Sequence, residues 1–302
     1  MAGEGTAGAR AGQLFLVATP IGNLEDITLR ALRVFREADL IACEDTRRTR
    51  KLLSHYQIHK PLISYHEHNE ITRAPELVIE LERGARVALV SDAGTPLISD
   101  PGQRLVTLCI RHRIPVVPVP GACASVAALA ASGLAADEFL FLGFLPARGG
   151  ERRRAVERLM TEKRTLVLYE APHRLAATLG DLAALLGNRP ACIAREVSKF
   201  HEEFRRGTLE QLAADPVVGS LRGEITLLIG PPANAEQGGA RETTESLAAR
   251  VEELIRQAKL DRKEALRIAA RERGLTRRAA YRQMLGLAPG DGQRPDSDQK
   301  TR

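Results

Sequence analysis

A loop of small and polar residues, 91–102, has the composition of a ligand-binding segment. It follows an apolar run, residues 87–90, that is typical of a strand buried in a parallel sheet, and a predicted helix comes next. In open α/β sheets, ligands bind at such carboxyl ends of strands. Small residues would let a ligand approach the backbone, while Thr95, Ser99 and Asp100 would supply hydroxyls and a carboxylate. An ordinary surface turn is the alternative, because Pro and Gly occur in loops of every kind.

Ionisable side chains follow another predicted strand, residues 39–43. Glu44 and Asp45 come first, and three arginines and a lysine lie among residues 46–51. A positive patch near a strand end suits phosphate groups. In the alternative interpretation, Asp45 caps the next helix and the basic residues face solvent.

Two histidines, His66 and His68, lie beside two acids within residues 64–70. A metal site would need a third or fourth ligand at a familiar spacing, and the neighbouring sequence supplies none. We therefore predict no metal here and interpret the segment as a polar loop that contacts substrate or a partner chain.

Two further loops follow predicted strands. Residues 13–19 read as a strand buried on both faces, and a Gly-containing turn over 19–24 leads into a helix. The GxGxxG pattern of dinucleotide folds is missing, which favours a cofactor without a pyrophosphate. Residues 114–121 form a short strand ending in Pro-Gly, and the free N–H groups of the following helix could bind a carboxylate. Tight helix–sheet packing would explain the alanines of that helix, but not the repeated Pro-Gly edge.

The composition indicates the class of protein. Of 302 residues, 44% are hydrophobic and 27% are charged, as expected of a globular rather than a disordered chain. No apolar run reaches the length of a membrane span, and residues 1–12 lack the apolar segment of a signal peptide. The cysteines lie far apart within apolar runs, which favours reduced thiols and a cytoplasmic location. They are Cys43, Cys109, Cys123 and Cys192.

The charge is concentrated near the C-terminus. Residues 241–302 contain 15 Lys and Arg against 10 Asp and Glu, so +5 of the net charge of +6 lies there. A basic terminal segment indicates a polyanionic partner, most simply nucleic acid, although a solvated helical face is the alternative. Helices are predicted over 246–259, 262–272 and 276–285, and the Gly-Leu-Thr turn before the last gives the layout of a helix-turn-helix.

The order of predicted elements indicates an α/β fold with two αβα domains and a small helical domain. In the second half, strands are predicted over 138–144, 165–170, 190–195 and 223–229, and residues 195–203 are dense in ionisable groups. The predicted divisions are a disordered tip over 1–12, α/β domains over 13–134 and 135–232, a linker over 233–242, a helical RNA-binding domain over 243–290 and a disordered tail over 291–302.

Several motifs, in order along the chain, resemble those of the ribosomal RNA small subunit methyltransferase I family. That family belongs to the tetrapyrrole-methylase-like, or class III, S-adenosylmethionine enzymes. The similarity runs over residues 13–232 and continues more loosely beyond. Its marks are residues 18–24, 43–47, 91–102, 119–121, 143–146 and 169–174, with Arg195, Glu196 and Lys199. Tetrapyrrole enzymes share the layout, but their first loop is richer in glycine. The Thr-Pro-Ile-Gly-Asn-Leu and Asp-Ala-Gly-Thr-Pro loops of this chain therefore resemble the RNA-methylating enzymes more closely.

The resemblance implies two αβα domains with S-adenosylmethionine in the cleft between them. It implies methyl transfer to the ribose 2′-hydroxyl of a cytidine in the decoding centre of 16S rRNA, by a homodimer that acts on the small ribosomal subunit. A small-molecule methyltransferase of the tetrapyrrole kind is the first alternative, although it gives the basic tail no role. A nucleic-acid-binding protein whose cleft has lost its chemistry is the second, although it leaves the intact cleft motifs unexplained.

Carried over by motif, the cofactor pocket draws on strand-end loops of both α/β domains. Its predicted residues are Thr19, Pro20, Ile21, Ala93, Gly94, Thr95, Pro96, Ile98, Cys123, Ala124, Ser125, Tyr169, Glu170 and Ala194.

Because a ribose hydroxyl is a weak nucleophile at neutral pH, a general base or a cation should assist it. Lys199 is the first candidate, as a base if its pKa is lowered, or otherwise as a cation that stabilises the developing alkoxide. Glu196 and Glu170 are candidate bases or orienting groups, and Asp100 is a further candidate. For each of these residues a structural ion pair is the alternative. The arginines predicted to bind RNA phosphates are Arg47, Arg48, Arg174, Arg195, Arg277 and Arg278.

Overall fold

The computed structural model describes residues 11–232, 247–258, 261–272, 275 and 277–284. The chain divides after Pro232 into two compact units, which we describe separately. The predicted linker, the predicted terminal tail and most of the predicted N-terminal tip fall outside the described residues.

The first half of the first unit is built on a parallel sheet. Its strands are β1 (Gln13–Val17), β2 (Leu40–Cys43), β3 (Leu62–Ser64), β4 (Arg86–Val90) and β5 (Val116–Val119). Its helices are α1 (Leu29–Glu37), α2 (Thr46–His55), α3 (Glu70–Glu82), α4 (Gln103–Arg111) and α5 (Ala124–Ser132). The strand order is β3-β2-β4-β1-β5, and every neighbouring pair is parallel. The loops that follow the strands therefore leave from one edge of the sheet.

Successive side chains of β4 point to opposite faces of the sheet, and both faces are buried, which explains why its sequence is apolar throughout. Val87 and Leu89 pack into the core beneath α3 and α4, while Ala88 and Val90 pack into the core beneath α1 and α2. All four residues are buried, so helices cover both faces of this sheet. The prediction of a strand buried on both faces is confirmed.

The second half of the first unit is built on a mixed sheet. Its strands are β6 (Phe139–Phe144), β7 (Thr165–Glu170), β8 (Pro190–Arg195), β9 (Glu203–Thr208) and β10 (Ile225–Ile229), in the order β6-β7-β10-β8-β9. Its helices are α6 (Gly149–Glu157), α7 (Pro172–Leu186) and α8 (Leu209–Ala214). Strand β10 runs antiparallel to β7 and β8, so β10 begins at the edge where those two strands end.

Helix α5 of the first half also packs against the second sheet. Helices α6, α7 and α8 cover one face of the second sheet, and α5 covers the other through Ala128 and Leu129, which contact Val167 and Leu228. The predicted α/β class with two sheets is confirmed. Strand β9 was not predicted, because Glu-Phe-Arg-Arg-Gly-Thr carries the polar side chains of a strand at the edge of a sheet.

The second unit contains three helices, α9 (Leu247–Ala258), α10 (Arg262–Glu272) and α11 (Arg277–Met284). Leu247, Val251, Ala265, Ala269 and Ala280 form the centre of its core. The three terminal helices are thus confirmed, while Gly274 and Thr276 of the predicted turn lie outside the described residues. Within the part of the chain that the structure describes, no helix has the length and hydrophobicity needed to cross a membrane.

Candidate active site

Loops from both halves of the first unit enclose a cavity of about 460 Å³. The loops after β1, β2, β4 and β5 form one side, and the ends of β6 and β7, the loop after β8 and the start of β10 form the other. Nine of the predicted cofactor residues line it: Ile21, Ala93, Gly94, Thr95, Ile98, Cys123, Ala124, Tyr169 and Glu170. The structure therefore brings together segments that are far apart in sequence.

The loop after β4, residues 91–102, is held in an uncommon backbone conformation. Gly94 has φ +88°, and two non-glycine residues, Leu97 and Ser99, have φ 72° and 65°. Backbone strain of this kind is often found at functional sites, where the surrounding structure maintains it. Here Thr19 and Gly94 exchange two backbone hydrogen bonds of 2.9 and 3.0 Å, which tie the loop to the end of β1.

The remaining predicted cofactor residues do not line the cavity. Thr19 is buried and donates from Oγ1 to the carbonyl of Ser91 at 3.3 Å. Ser125 is buried, its Oγ lies 3.2 Å from the Sγ of Cys123, and it also hydrogen-bonds to Tyr169. Ala194 belongs to the core beneath α5. Pro20 and Pro96 are likewise absent from the lining.

Asp100 lies in the wall of the cavity, and its pKa is higher than that of an ordinary aspartate. The pKa of Asp100 is raised to about 6, mainly by burial; a hydrogen bond to Ser91 opposes this rise, and the nearby negative charges of Glu44 and Asp92 add to it. A carboxylate with this pKa is largely ionised at neutral pH and yet basic enough to accept a proton.

Glu44 and Asp92 also line the cavity, and neither was predicted as a site residue. Asp92 accepts from the backbone N–H of Asp45 at 3.0 Å and pairs with the guanidinium of Arg48 at 3.2 Å. Burial and the charge of Asp92 raise the pKa of Glu44. Their positions directly after β2 and β4 were the available signal in the sequence.

Lys199 is held between two carboxylates in the loop after β8. Its Nζ lies 2.8 Å from Glu196 Oε1 and 3.1 Å from Glu224 Oε2. Burial alone would lower the pKa of Lys199, but these two carboxylates outweigh it and raise the pKa. The predicted role of base depended on a lowered pKa, a condition that Lys199 does not meet. The other predicted role, a cation that stabilises the developing alkoxide, stays a prediction.

Glu196 is also occupied by this arrangement. Its Oε1 accepts both from Lys199 and, at 2.8 Å, from the backbone N–H of Glu224. Burial would raise its pKa, but the hydrogen bonds from Lys199 and Glu224 outweigh it and lower the pKa. Glu196 therefore orients the loop and is poorly suited to accept a proton.

Glu170 and Arg174 form a buried ion pair with a distance of 2.6 Å. The carboxylate of Glu170 also accepts from the backbone N–H of Ala171 at 2.8 Å and from the hydroxyl of Thr178 at 2.6 Å. The alternative interpretation, a structural ion pair, therefore accounts for both residues better than the predicted roles do. Those roles were a general base for Glu170 and a phosphate contact for Arg174.

The other predicted phosphate contacts differ in their surroundings. Arg47 and Arg48 lie in the first turn of α2 with largely exposed side chains, and Arg48 lines the cavity. Arg195 is more enclosed, 3.3 Å from Glu203 and 3.1 Å from the carbonyl of Arg222. Arg277 and Arg278 lie in α11, and their side chains are outside the described residues.

The two histidines of the predicted polar loop lie near the same edge of the first sheet. The rings of His66 and His68 are 5.9 Å apart, and His66 Nε2 lies 3.3 Å from Asn69 Nδ2. Among the described residues, no three His, Cys, Asp or Glu side chains are grouped as metal ligands.

Comparison with known proteins identifies relatives over most of the chain. Residues 13–213 match the family model of tetrapyrrole (corrin/porphyrin) methylases. The ribosomal RNA small subunit methyltransferase I of Halalkalibacterium halodurans is 47% identical over 272 residues, which cover 89% of this chain and 93% of that protein. The protein of the same name from Synechocystis is 48% identical and covers 91% of this chain, with 98% of its own length matched.

Solved structures with the same fold are more distant in sequence. The methyltransferase CobJ has a TM-score of 0.56 at 19% identity, covering 74% of this chain and 95% of that chain. A Thermus thermophilus uroporphyrin-III C-methyltransferase, complexed with S-adenosyl homocysteine, has a TM-score of 0.53 at 22% identity, covering 72% and 97%. These similarities confirm the predicted type of fold, with two α/β halves.

Proposed function

Since this chain belongs to the ribosomal RNA small subunit methyltransferase I family, within the tetrapyrrole methylases, we propose that it transfers a methyl group from S-adenosylmethionine to 16S rRNA. The proposed acceptor is the ribose 2′-hydroxyl of a decoding-centre cytidine. The observation that carries this proposal is the convergence of the predicted cofactor loops on one cavity that also contains Asp100.

The lining of the cavity fits S-adenosylmethionine. Its volume of about 460 Å³ lies in the range of small-molecule sites. Among the residues that the structure describes, no side chain caps the first turn of α5 at Cys123, so the N–H groups of that turn are suited to a methionine carboxylate. Glu44 and Asp100 add negative charge to the lining, which favours a sulfonium cation.

When bound, S-adenosylmethionine supplies an electrophilic methyl group, and its sulfur takes the electron pair of the breaking C–S bond as the new O–C bond forms. Asp100 accepts the proton of the attacking 2′-hydroxyl, because it is the candidate base that lies in the cavity without an ion-pair partner among the described residues. The walls of the cavity align the two reactants, which is the first requirement of an in-line displacement.

The exposed arginines of α2 suit the substrate. Arg48 lines the cavity and Arg47 precedes it in the exposed first turn of α2, so both could contact phosphates flanking the target ribose. Lys199 and Glu196 hold the opposite loop through their ion pair. We further propose that the protein acts as a cytoplasmic homodimer on the small ribosomal subunit, and that the second unit binds RNA.

A methylation assay tests this function. Small subunits from cells that lack the enzyme are incubated with methyl-labelled S-adenosylmethionine and the protein, and the RNA is digested for nucleoside mass spectrometry. We expect label in 2′-O-methylcytidine. Label on a nucleobase, or transfer to a uroporphyrinogen and none to RNA, would contradict the proposal. RNA binding without any transfer would support the non-catalytic alternative.

A further inference from the structure

A β-bulge lies in the Gly143-Phe144 motif, which the proposed chemistry has not used. Strand β6 pairs with β7 in register up to Phe141 and Val167, but the next pair is Gly143 with Leu168, so that Leu142 is an additional residue. Gly143 has φ +62°, a conformation that glycine adopts without strain. Bulges of this kind redirect side chains, often beside active sites.

The bulge moves Phe144 to the other face of the sheet. Leu140 and Leu142 face the core beneath α6 and α7, and regular alternation would place Phe144 with them. Instead Phe144 pairs with Tyr169 and lies on the face of Phe141, with the Phe144 and Tyr169 ring centroids 5.7 Å apart. Because of this one inserted residue, a phenylalanine lines the cavity.

The bulge also fits closely against the first half of the unit. A methyl group on Gly143 would lie 2.9 Å from Ser99 Oγ, in the loop after β4. The backbone that carries Phe144 therefore lies directly against the loop that contains Asp100.

Phe144 is 56% exposed although it lines a cavity. Ile98, also in the lining, is 38% exposed, whereas Gly94 is buried. The exposure of Phe144 and Ile98 indicates that these two apolar side chains lie toward the opening, where a substrate from outside arrives, whereas Gly94 lies deeper. Exposed aromatic rings bind unstacked bases of single-stranded RNA.

We propose that Phe144 stacks on the base of the target nucleotide and so holds its ribose at Asp100. This inference rests on the proposed function and assigns a substrate-positioning residue to it. Stacking on a phenyl ring tolerates any base, so Phe144 supplies position and not base identity. The adenine of the cofactor is the competing occupant, and the experiment separates the two.

The test compares Phe144→Ala, Phe144→Leu and Phe144→Tyr with Phe139→Leu. Phe139 lies on the same strand and is 41% exposed, but is absent from the cavity lining, so it is a matched control. The KM for small subunits, kcat and the calorimetric Kd for S-adenosylmethionine are measured for each protein.

We expect Phe144→Ala and Phe144→Leu to raise the KM about tenfold or more, with kcat and the cofactor Kd changed less than about threefold. Phe144→Tyr should retain the wild-type KM, as should Phe139→Leu. A weakened cofactor Kd would overturn the proposal in favour of adenine, and a changed mass in light scattering would overturn it in favour of a dimer contact. An unchanged KM with active wild-type protein refutes this inference alone, whereas inactive wild-type protein refutes the proposed function.

Discussion

The Nζ of Lys199 lies 2.8 Å from Oε1 of Glu196, and this ion pair makes both residues poor general bases. The lysine remains an ammonium because Glu224 adds a second carboxylate, and the glutamate is held as an acceptor. Asp100, at the other side of the cavity, has the proton affinity that the reaction needs.

Replacing Lys199 with Gln should therefore leave the pH dependence of the reaction intact. We expect kcat to fall less than about tenfold, because the loop loses its anchor but the base remains. At pH values below the ordinary lysine pKa of 10.5, the Lys199→Gln protein should be less stable than the wild type, because the wild-type ion pair contributes there. This difference in stability should vanish as the pH rises through the raised pKa of Lys199. Lys199→Arg is the control. A folded Lys199→Gln protein without a pH-dependent rate would show that Lys199 is the base.

Asp100→Asn should abolish most of the methyl transfer. We expect kcat to fall by about 10² or more, while the cofactor Kd changes little, since the amide has the shape of the acid but accepts no proton. In the wild type, kcat/KM should rise with pH and level off above about 6, because the ionised form of Asp100 is the active one. The pH profile of kcat/KM with small subunits as substrate measures this. A wild-type profile that is flat between pH 5 and pH 8 would contradict the assignment.

The charge of Glu44 should be visible in the same profile. Because that charge helps to raise the pKa of Asp100, Glu44→Gln should move the midpoint of the wild-type profile to lower pH. The midpoint should stay above the ordinary aspartate range, since burial is the larger cause. Glu67→Gln, outside the cavity lining, is the control. A midpoint that moves to higher pH would show that Glu44 does not act on the base.

The sequence predicted most of the fold because its strongest signals are local. The apolar run of β4 and the small residues after it could be recognised without knowing which residues they contact. The pairing of Lys199 with Glu224 joins residues 25 positions apart, and it adds to the rise in the lysine pKa that Glu196 causes. Such a contact depends on where β10 begins, which no local pattern gives.

Other features carried no local signal at all. Positive φ at Leu97 and Ser99 occurs in residues that rarely adopt it, so only the packed loop imposes it. The bulge at Gly143 is specified by its pairing with β7 and by Ser99. Glu170 ends β7 and Arg174 lies in α7, so their pairing depends on the turn between the strand and the helix, and the burial of Glu170 depends on the packed sheet.

Breaking the Glu170–Arg174 ion pair should lower the stability of the protein more than it affects binding of the cofactor. Glu170→Gln leaves Arg174, whose side chain is only 16% exposed, without its counter-charge, so we expect a loss of about 3 kcal/mol in the free energy of unfolding. Glu80→Gln removes an exposed pair with Arg83 and should change stability little. Urea denaturation of both variants makes the comparison. Equal stabilities would mean that Glu170 is not structural.

The central claim, that the cavity is the S-adenosylmethionine site, is tested most directly by calorimetric titration of the cofactor into three proteins. The wild type should bind one molecule per chain, and Gly94→Arg should bind none, because the new side chain fills the cavity that Gly94 lines. Gly133→Ala imposes similar strain, at φ +82° against +88°, but has no atom within 4 Å of the new methyl group and should bind as the wild type does. A wild-type protein without affinity, or a Gly94→Arg protein that binds unchanged, would contradict the account.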